Sequence, residues 1–178
     1  MEIKSLSHTS PDELFEAFEQ AFADYEVQLN KAEHLTMFKR RGFNPKASFG
    51  AFDRDKLVSF TCNGIGNFYG VRAAYDTGTG TLKDYQGRGL ATQVFEYSIP
   101  YLRELGIEEY LLEVLQHNTG ALSVYRKLGF EITREFYYFK QKNEQVDRAV
   151  KALDCCYTLK SIKISEYSSI PVSYTHLT

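Results

Sequence analysis

The chain has 178 residues, 43% of them hydrophobic and 25% charged, which suits one domain with its own core or one domain with a short appendage. Its 21 Lys and Arg against 23 Asp and Glu leave a formal charge of −2, so no global field exists to hold a nucleic acid or an anionic membrane. Cys62 and the adjacent pair Cys155 and Cys156 cannot build a disulfide framework, and a start without an apolar signal core adds to the expectation of a reducing cytoplasm.

Glu2 to Leu6 is strand-like and leads to Ser10-Pro11-Asp12-Glu13, a capping box with proline at the first helical position. Leu14, Phe15, Phe18, Phe22 and Tyr25 recur at helical spacing behind it, and Asn30 with Glu33 opens a second helix that stops near Gly42. Ser48 to Asp53, Lys56 to Ile65 and Val71 to Gly80 are rich in β-branched and aromatic residues and are separated by turn sequences, which predicts an antiparallel meander. Leu90, Ala91, Val94, Phe95, Leu102 and Leu105 mark a long helix that Pro100 should kink. Tyr110 to Leu115 is an apolar run suited to a buried strand. Ala121, Leu122, Tyr125 and Leu128 give one more helix, and Phe130 to Phe139 a final long strand. This order is mixed α/β. A charged helix from Asn143 to Asp154 and a last strand from Tyr157 to Ile164 are expected beyond it.

The most informative segment is Thr77-Gly78-Thr79-Gly80-Thr81-Leu82-Lys83-Asp84-Tyr85-Gln86-Gly87-Arg88-Gly89-Leu90-Ala91, which joins a strand to the long helix. Glycines at 87 and 89 let the backbone turn so that unpaired N–H groups at the helix start point one way. With the helix dipole and Arg88, that cradle suits a pyrophosphate. A lone G-x-G by itself favours the plainer alternative, a solvent-exposed loop whose glycines only serve the turn. Two other phosphate motifs are excluded: no P-loop sequence occurs, and G-x-G-x-x-G fails because position 92 is Thr.

Gln86-Gly87-Arg88-Gly89-Leu90-Ala91 resembles the Q/R-x-x-G-x-G/A signature of the GNAT superfamily of N-acetyltransferases. Leu112-Glu113-Val114, then Asn118, Ala121, Tyr125 and Lys127-Leu128-Gly129-Phe130, are similar to that family's second conserved segment, in the same order. The resemblance covers roughly residues 1 to 140. It implies a mixed, mostly antiparallel central sheet flanked by helices, with a splay between the fourth and fifth strands. It implies acetyl-CoA as co-substrate and no metal. The pyrophosphate would lie on Gln86, Gly87, Arg88, Gly89, Leu90 and Ala91, and the pantetheine arm in the splay against the backbone of Thr81, Leu82 and Lys83, with Asn118 nearby. Lys83 stands where many members carry Pro.

Acetyl transfer to an amine needs a base, because a free amine with a pKa near 10 is protonated at pH 7. Glu113 is the candidate: inside an apolar run, desolvation should raise its pKa toward neutrality. A glutamate on the wet side of an edge strand is the plainer alternative, and Asp76 on the preceding strand is the reserve base. Tyr125 is the expected acid for the departing thiolate, its ring packing in the helix stripe while the hydroxyl faces the cleft. A backbone N–H near Thr79 to Thr81 would hold the oxyanion, with Gly78 and Gly80 permitting a bulge. Asn118 reads as a helix cap as well as a cofactor contact.

His34 and His117 lack partners at metal-ligand spacing and are expected on the surface. Tyr25-Glu26-Val27 lies where the resemblance places the acceptor pocket, although residues such as Phe22, Tyr25 and Phe38 are more often plain core. The acceptor is a small-molecule amine or a peptide N-terminus; nucleic acid and membrane are not expected, and a homodimer is left open. The rival readings are a non-catalytic acyl-CoA-binding regulatory module and the first half of a tandem protein. The expected organisation is a transferase domain over 1–141, a linker helix and last strand over 142–169, and a tail over 170–178. That tail, ending PVSYTHLT, fits no pattern above and resembles translated sequencing-adapter read-through.

Overall fold

Two capping boxes start the first two helices as their sequences require. Ser10 Oγ accepts from the Glu13 N–H while the Glu13 carboxylate accepts from the Ser10 N–H, and α1 runs Pro11–Ala21. Asn30 and Glu33 do the same for α2, Lys31–Arg40. Each box satisfies orphan N–H groups that would otherwise face water or nothing. The computed structural model describes residues 1–25, 28–68 and 70–137.

Five strands form one sheet in the order β1 (Glu2–Ser5), β2 (Phe49–Asp53), β3 (Lys56–Phe68), β4 (Val71–Thr81) and β5 (Glu109–Leu111). The first four pair antiparallel, and β4 pairs parallel to β5, with α3 (Leu90–Glu104) between them in sequence. A parallel neighbour needs such a crossover, whereas the antiparallel strands need only turns. The last helix, α4, is Thr119–Lys127.

The two faces of the sheet carry different chemistry. On one, Phe18 of α1 stacks on Phe60 at 4.5 Å between ring centroids and meets Phe38 of α2 at 5.5 Å. On the other, Phe95 of α3 lies 5.7 Å from Tyr110 of β5 and 5.7 Å from Tyr125 of α4. Close approach on the first face is set by glycine: a Cβ on Gly78 would stand 2.6 Å from the Phe18 ring, and one on Gly80 would stand 2.7 Å from Phe60 and 2.9 Å from Ala21. These glycines therefore serve helix packing. Gly78→Ala is expected to cost about 1–3 kcal/mol through overpacking, read as a lower midpoint in urea with an unchanged slope; an unchanged midpoint would show that α1 shifts freely.

Three expectations are corrected here. The strand read over Tyr110 to Leu115 is only Glu109–Leu111. Residues 130–137 form no strand and residues 131–137 are exposed, so that segment offers no buried face to fix a register. His34, expected on the surface, is 3% exposed and packs against Phe15, Phe18 and Phe38 between α1 and α2. Pro100 lies inside α3, which continues through it to Glu104.

The chain divides into two compact units, Met1–Glu131 and Ile132–Thr178. The helix expected over 143–154, the strand over 157–164 and the tail lie outside the described residues, as do Glu26 and Val27.

Candidate active site

The turn before α3 adopts the geometry its glycines allow. Gly87 and Gly89 have φ of +73° and +72°, and Gly89 caps the helix in the left-handed conformation, where a side chain would be strained. A Cβ on Gly87 would meet nothing within 4 Å, so conformation rather than crowding calls for glycine there. The turn is held from within. Gln86 Nε2 donates to the Thr81 carbonyl at 3.1 Å, and Arg88 donates to the Asp84 carbonyl at 2.7 Å with its guanidinium 4.9 Å from the Tyr85 ring centroid. The α3 N-terminus thus presents free amides and a nearby cation. Lys83 Nζ ties this turn to Asp24 at 2.9 Å, each partner raising or lowering the other's pKa in the direction that keeps both charged.

Beside the turn, β4 loses its neighbour. Pairing with β5 ends at Tyr75↔Leu111, yet β4 continues to Thr81. Its far edge from Asp76 to Thr81 faces a gap, which is the expected splay. Leu82 N–H donates to the Val58 carbonyl at 2.9 Å. Because antiparallel bonds alternate along a ladder, the amides of Thr79 and Thr81 therefore point away from β3 and into the gap. Thr81 and Lys83 flank Leu82 at the rim of the gap, where the Leu82 N–H donates to Val58 and its carbonyl accepts from the Tyr85 N–H at 2.8 Å.

A bulge decides which side chains flank the gap. Cys62 pairs with Gly78 and Asn63 with Asp76, leaving Thr77 as the extra residue, its Oγ1 donating to the Cys62 carbonyl at 2.9 Å. Beyond the bulge the side-chain alternation reverses. Asp76 and Thr79, three apart, consequently share the α3 and α4 face, and Thr79 Oγ1 lies 2.8 Å from Asp76 Oδ2 and 3.0 Å from Thr61 Oγ1.

Two titratable groups stand on opposite faces of this gap. On the α3 and α4 face, the Tyr125 hydroxyl is hydrogen-bonded with Asp76 and Thr79, and burial pushes its pKa up. Burial also raises Asp76 to about 6, against the pull of Thr79, the Gly78 N–H, Arg41 and Tyr125. On the α1 and α2 face, Tyr75 hydrogen-bonds Glu113 and lies under Arg41, whose guanidinium is 5.5 Å from the ring centroid; burial first, and the Glu113 carboxylate in addition, take Tyr75 to about 12. Arg41 reaches this position because Gly64 has no side chain: a Cβ there would stand 1.9 Å from the Arg41 carbonyl.

Glu113 is exposed and lies two residues beyond the end of β5, and the buried carboxyl beside the gap is that of Asp76. Asn118 caps α4, its Oδ1 accepting from the Ala121 N–H at 3.1 Å. Sequence reasoning passed over Tyr75, Arg41, Thr61 and Tyr110. The alternation Thr77-Gly78-Thr79-Gly80-Thr81 was a visible signal for a hydroxyl-rich edge; nothing marked Arg41. Among the described residues no group of three or more His, Cys, Asp or Glu could hold a metal ion, and no helix is long and apolar enough to cross a membrane.

A split sheet edge beside a glycine-cradled helix start is the architecture of the acetyltransferases resembled in sequence. The chain belongs to the Acetyltransferase (GNAT) family, whose pattern matches residues 11–130. It is 32% identical to "N-alpha-acetyltransferase MAK3" of Arabidopsis thaliana over 116 residues, 64% of this chain and 61% of that protein. It is 34% identical to "Probable N-acetyltransferase san" of Drosophila melanogaster over 91 residues, 49% of this chain and 50% of that one. The matches thus span between half and two thirds of these relatives. Among solved structures, the fold is similar to that of the NatC complex bound to Gag peptide and CoA, with a TM-score of 0.62, 20% identity, and cover of 75% of this chain and 87% of that one. It is similar also to the ribosomal-protein-S18-alanine N-acetyltransferase from Escherichia coli, with a TM-score of 0.60, 22% identity, and cover of 73% and 77%.

Proposed function

We propose that the chain transfers the acetyl group of acetyl-CoA directly to an α-amino group at a protein or peptide N-terminus, in the cytoplasm, without a covalent enzyme intermediate. The observation that carries this is the placement of Glu113 and Tyr125 on opposite faces of the open β4 edge. The amine adds to the thioester carbonyl and the thiolate then leaves the tetrahedral intermediate, so a proton acceptor on the amine's side and a donor on the sulfur's side is the arrangement the reaction needs.

The residues fit the co-substrate. The free amides at Gly87, Arg88, Gly89, Leu90 and Ala91, with Gln86 bracing the turn, suit its pyrophosphate. The gap beside Thr81, Lys83 and Asn118 suits an extended arm. Bound acetyl-CoA supplies an activated thioester. Glu113, wet and beside Tyr75, takes the proton of the incoming amine directly or through water. The Thr79 and Thr81 amides donate to the oxygen that gains charge, and Tyr125 protonates the sulfur that leaves. The relatives named for N-alpha acetylation favour a peptide acceptor over a small amine.

The test is release of free coenzyme A with N-terminal peptides and small amines as acceptors. Turnover with peptides is expected; binding of acetyl-CoA with no turnover on any acceptor would favour the regulatory module. Within that assay, Glu113→Gln should lower the rate by about a hundredfold and alter the pH–rate profile. A pH–rate profile superimposable on wild type would remove Glu113 from the mechanism.

A further inference from the structure

Behind Tyr125 runs a line of buried polar groups that the proposed chemistry does not use. Asn63 Nδ2 donates to the Ala47 carbonyl at 2.6 Å, and Tyr110 donates its hydroxyl hydrogen to Asn63 Oδ1. The Thr61 and Tyr110 hydroxyls are 3.1 Å apart, Thr79 Oγ1 is 3.0 Å from Thr61, and Asp76 Oδ2 is 2.8 Å from Thr79. Thr61 and Asn63 are wholly buried and Asp76 is 9% exposed, so these groups satisfy one another or go unpaired, at a cost.

Counting hydrogens gives the line a direction. A backbone carbonyl only accepts, so Ala47 fixes the Asn63 amide with Nδ2 toward it and Oδ1 toward Tyr110. The Tyr110 hydrogen is then spent on Asn63, and the Tyr110 oxygen must accept from Thr61. With the Thr61 hydrogen spent, its oxygen must accept from Thr79. Thr79 has one hydrogen, and if Thr61 takes it, Thr79 can only accept from its remaining neighbours, Asp76 and the Tyr125 hydroxyl. A carboxylate has no hydrogen to give; a carboxylic acid has one. The contacts of Thr79 with Thr61 and Asp76 and of Tyr125 with both Thr79 and Asp76 share only two hydroxyl hydrogens when Asp76 is ionised, and a proton on Asp76 Oδ2 supplies a third to the Thr79 link, with Oδ1 still accepting from the Gly78 N–H at 2.8 Å. An ionised Asp76 would draw the Thr79 hydrogen to itself and leave two oxygens facing each other across 3.0 Å.

We propose that Asp76 is a neutral carboxylic acid held so by the chain Thr79, Thr61, Tyr110, Asn63 and the Ala47 carbonyl, and that as a neutral group it is the positioning residue for Tyr125. This rests on the acid role given to Tyr125 above. When the O–H bond of Tyr125 breaks and the S–H bond of coenzyme A forms, the tyrosine oxygen becomes negative until water returns a proton through the cleft. A charged carboxylate in hydrogen-bond contact would oppose that charge and hold the hydroxyl hydrogen for itself. A neutral Asp76 does neither. The other titratable or charged groups bearing on Asp76 are Arg41 from the end of α2, Tyr125 from α4, Cys62 from β3, Tyr110 from β5, and Tyr75 beside it on β4. Arg41 and, through its hydrogen bond, Tyr125 favour the ionised form; Arg41 is turned toward Tyr75 and the Thr77 carbonyl, which it reaches at 3.3 Å.

Thr61 does not touch Asp76, which makes it the discriminating site. In Thr61→Val the Thr79 hydrogen is released to Asp76, so the Asp76 carboxyl, followed by its infrared C=O stretch against an Asp76→Asn blank, should titrate lower by about one pH unit. Tyr110→Phe should move it the same way from one link further off, and Thr61→Ser should restore the wild-type midpoint. The turnover number with acetyl-CoA should fall about tenfold in Thr61→Val, with the KM for acetyl-CoA unchanged. An Asp76 titration that neither variant moves overturns the chain, whether or not any acceptor is acetylated. A shifted titration with unchanged turnover overturns the positioning role. Absence of acetyl transfer by wild type overturns the proposed function, and with it the positioning role, while leaving the titration to decide the chain.

Discussion

Tyr125→Phe should bind acetyl-CoA as wild type does and turn over about a hundredfold more slowly, the loss expected when a positioned proton donor is removed. The substitution isolates the hydroxyl because the ring has its own role. It meets Phe95 edge-on at 5.7 Å and Phe130 at 5.8 Å between centroids, contacts that phenylalanine keeps. Burial, together with the neighbouring Asp76, raises the pKa of the hydroxyl, so it carries its proton throughout the working range. A thiol, with an ordinary pKa of about 8.5, is the stronger acid of the two, so the hydroxyl gives its hydrogen only as charge gathers on the departing sulfur, and water then restores the hydrogen to the tyrosine oxygen. The reading is a split between kcat and KM: kcat falls and the KM for acetyl-CoA stays. Equal turnover in the two proteins would leave Tyr125 a packing residue only.

The second large effect is on stability, and wild type should conceal it. His34 is buried among Phe15, Phe18 and Phe38 with no hydrogen-bond partner for Nε2, and burial lowers its pKa from 6.5 to about 4. As pH falls below 6.5, the unfolded chain takes up a proton that the folded chain refuses, so His34 lowers stability by about 3 kcal/mol by pH 4. Asp76 works in the opposite sense. Its folded pKa is raised from 3.8 to about 6, so as pH rises from about 4 the unfolded chain loses a proton that the folded chain keeps, and stability falls by about 3 kcal/mol by pH 6. The two slopes nearly cancel in the shared window.

Single substitutions should expose each slope. Asp76→Asn leaves that of His34, giving a protein more stable than wild type at pH 7 that loses stability on acidification. His34→Leu leaves that of Asp76, giving a protein that loses stability as pH rises from 4 to 6. Urea midpoints at several pH values read both, and differences between variants cancel the contribution of other carboxylates. Parallel profiles for the two variants would contradict the opposed assignment. Asp76 also illustrates a general cost: a carboxyl whose ionisation burial opposes lowers stability at every pH above its unfolded pKa.

Much of this was legible in order along the chain. The capping boxes at Ser10 and Asn30, the left-handed glycines at 87 and 89, and the Asn118 cap are local, because each is satisfied by residues within three or four positions. Local hydrogen bonds and φ preferences are written in adjacent residues and need no fold to be read. The resemblance in Gln86 to Ala91 and in Leu112 to Phe130 then located the splay, and the end of β4–β5 pairing at Tyr75 and Leu111 lies within it.

Burial was read less well. Glu113 sits in an apolar run yet is exposed, and His34 sits on a polar-looking helix yet is buried. The apolar run misled because β5 stops at Leu111, and the helix misled because the face His34 shares with Phe38 is covered by Phe15 and Phe18 of α1. Exposure depends on what the rest of the chain lays over a residue, which a window of neighbours does not contain.

The sequence by itself determined where the helices begin, where the phosphate-type turn lies and which residue types are available for proton transfer. Only the tertiary structure decided which of them meet. Asp76 and Thr79 are three apart, a spacing that places side chains on opposite faces of a regular strand. They share a face with Tyr125 because Thr77 bulges out of register with β3. A bulge is a property of two paired strands, and that pairing is settled by the cores on both faces of the sheet, so no reading of β4 alone contains it.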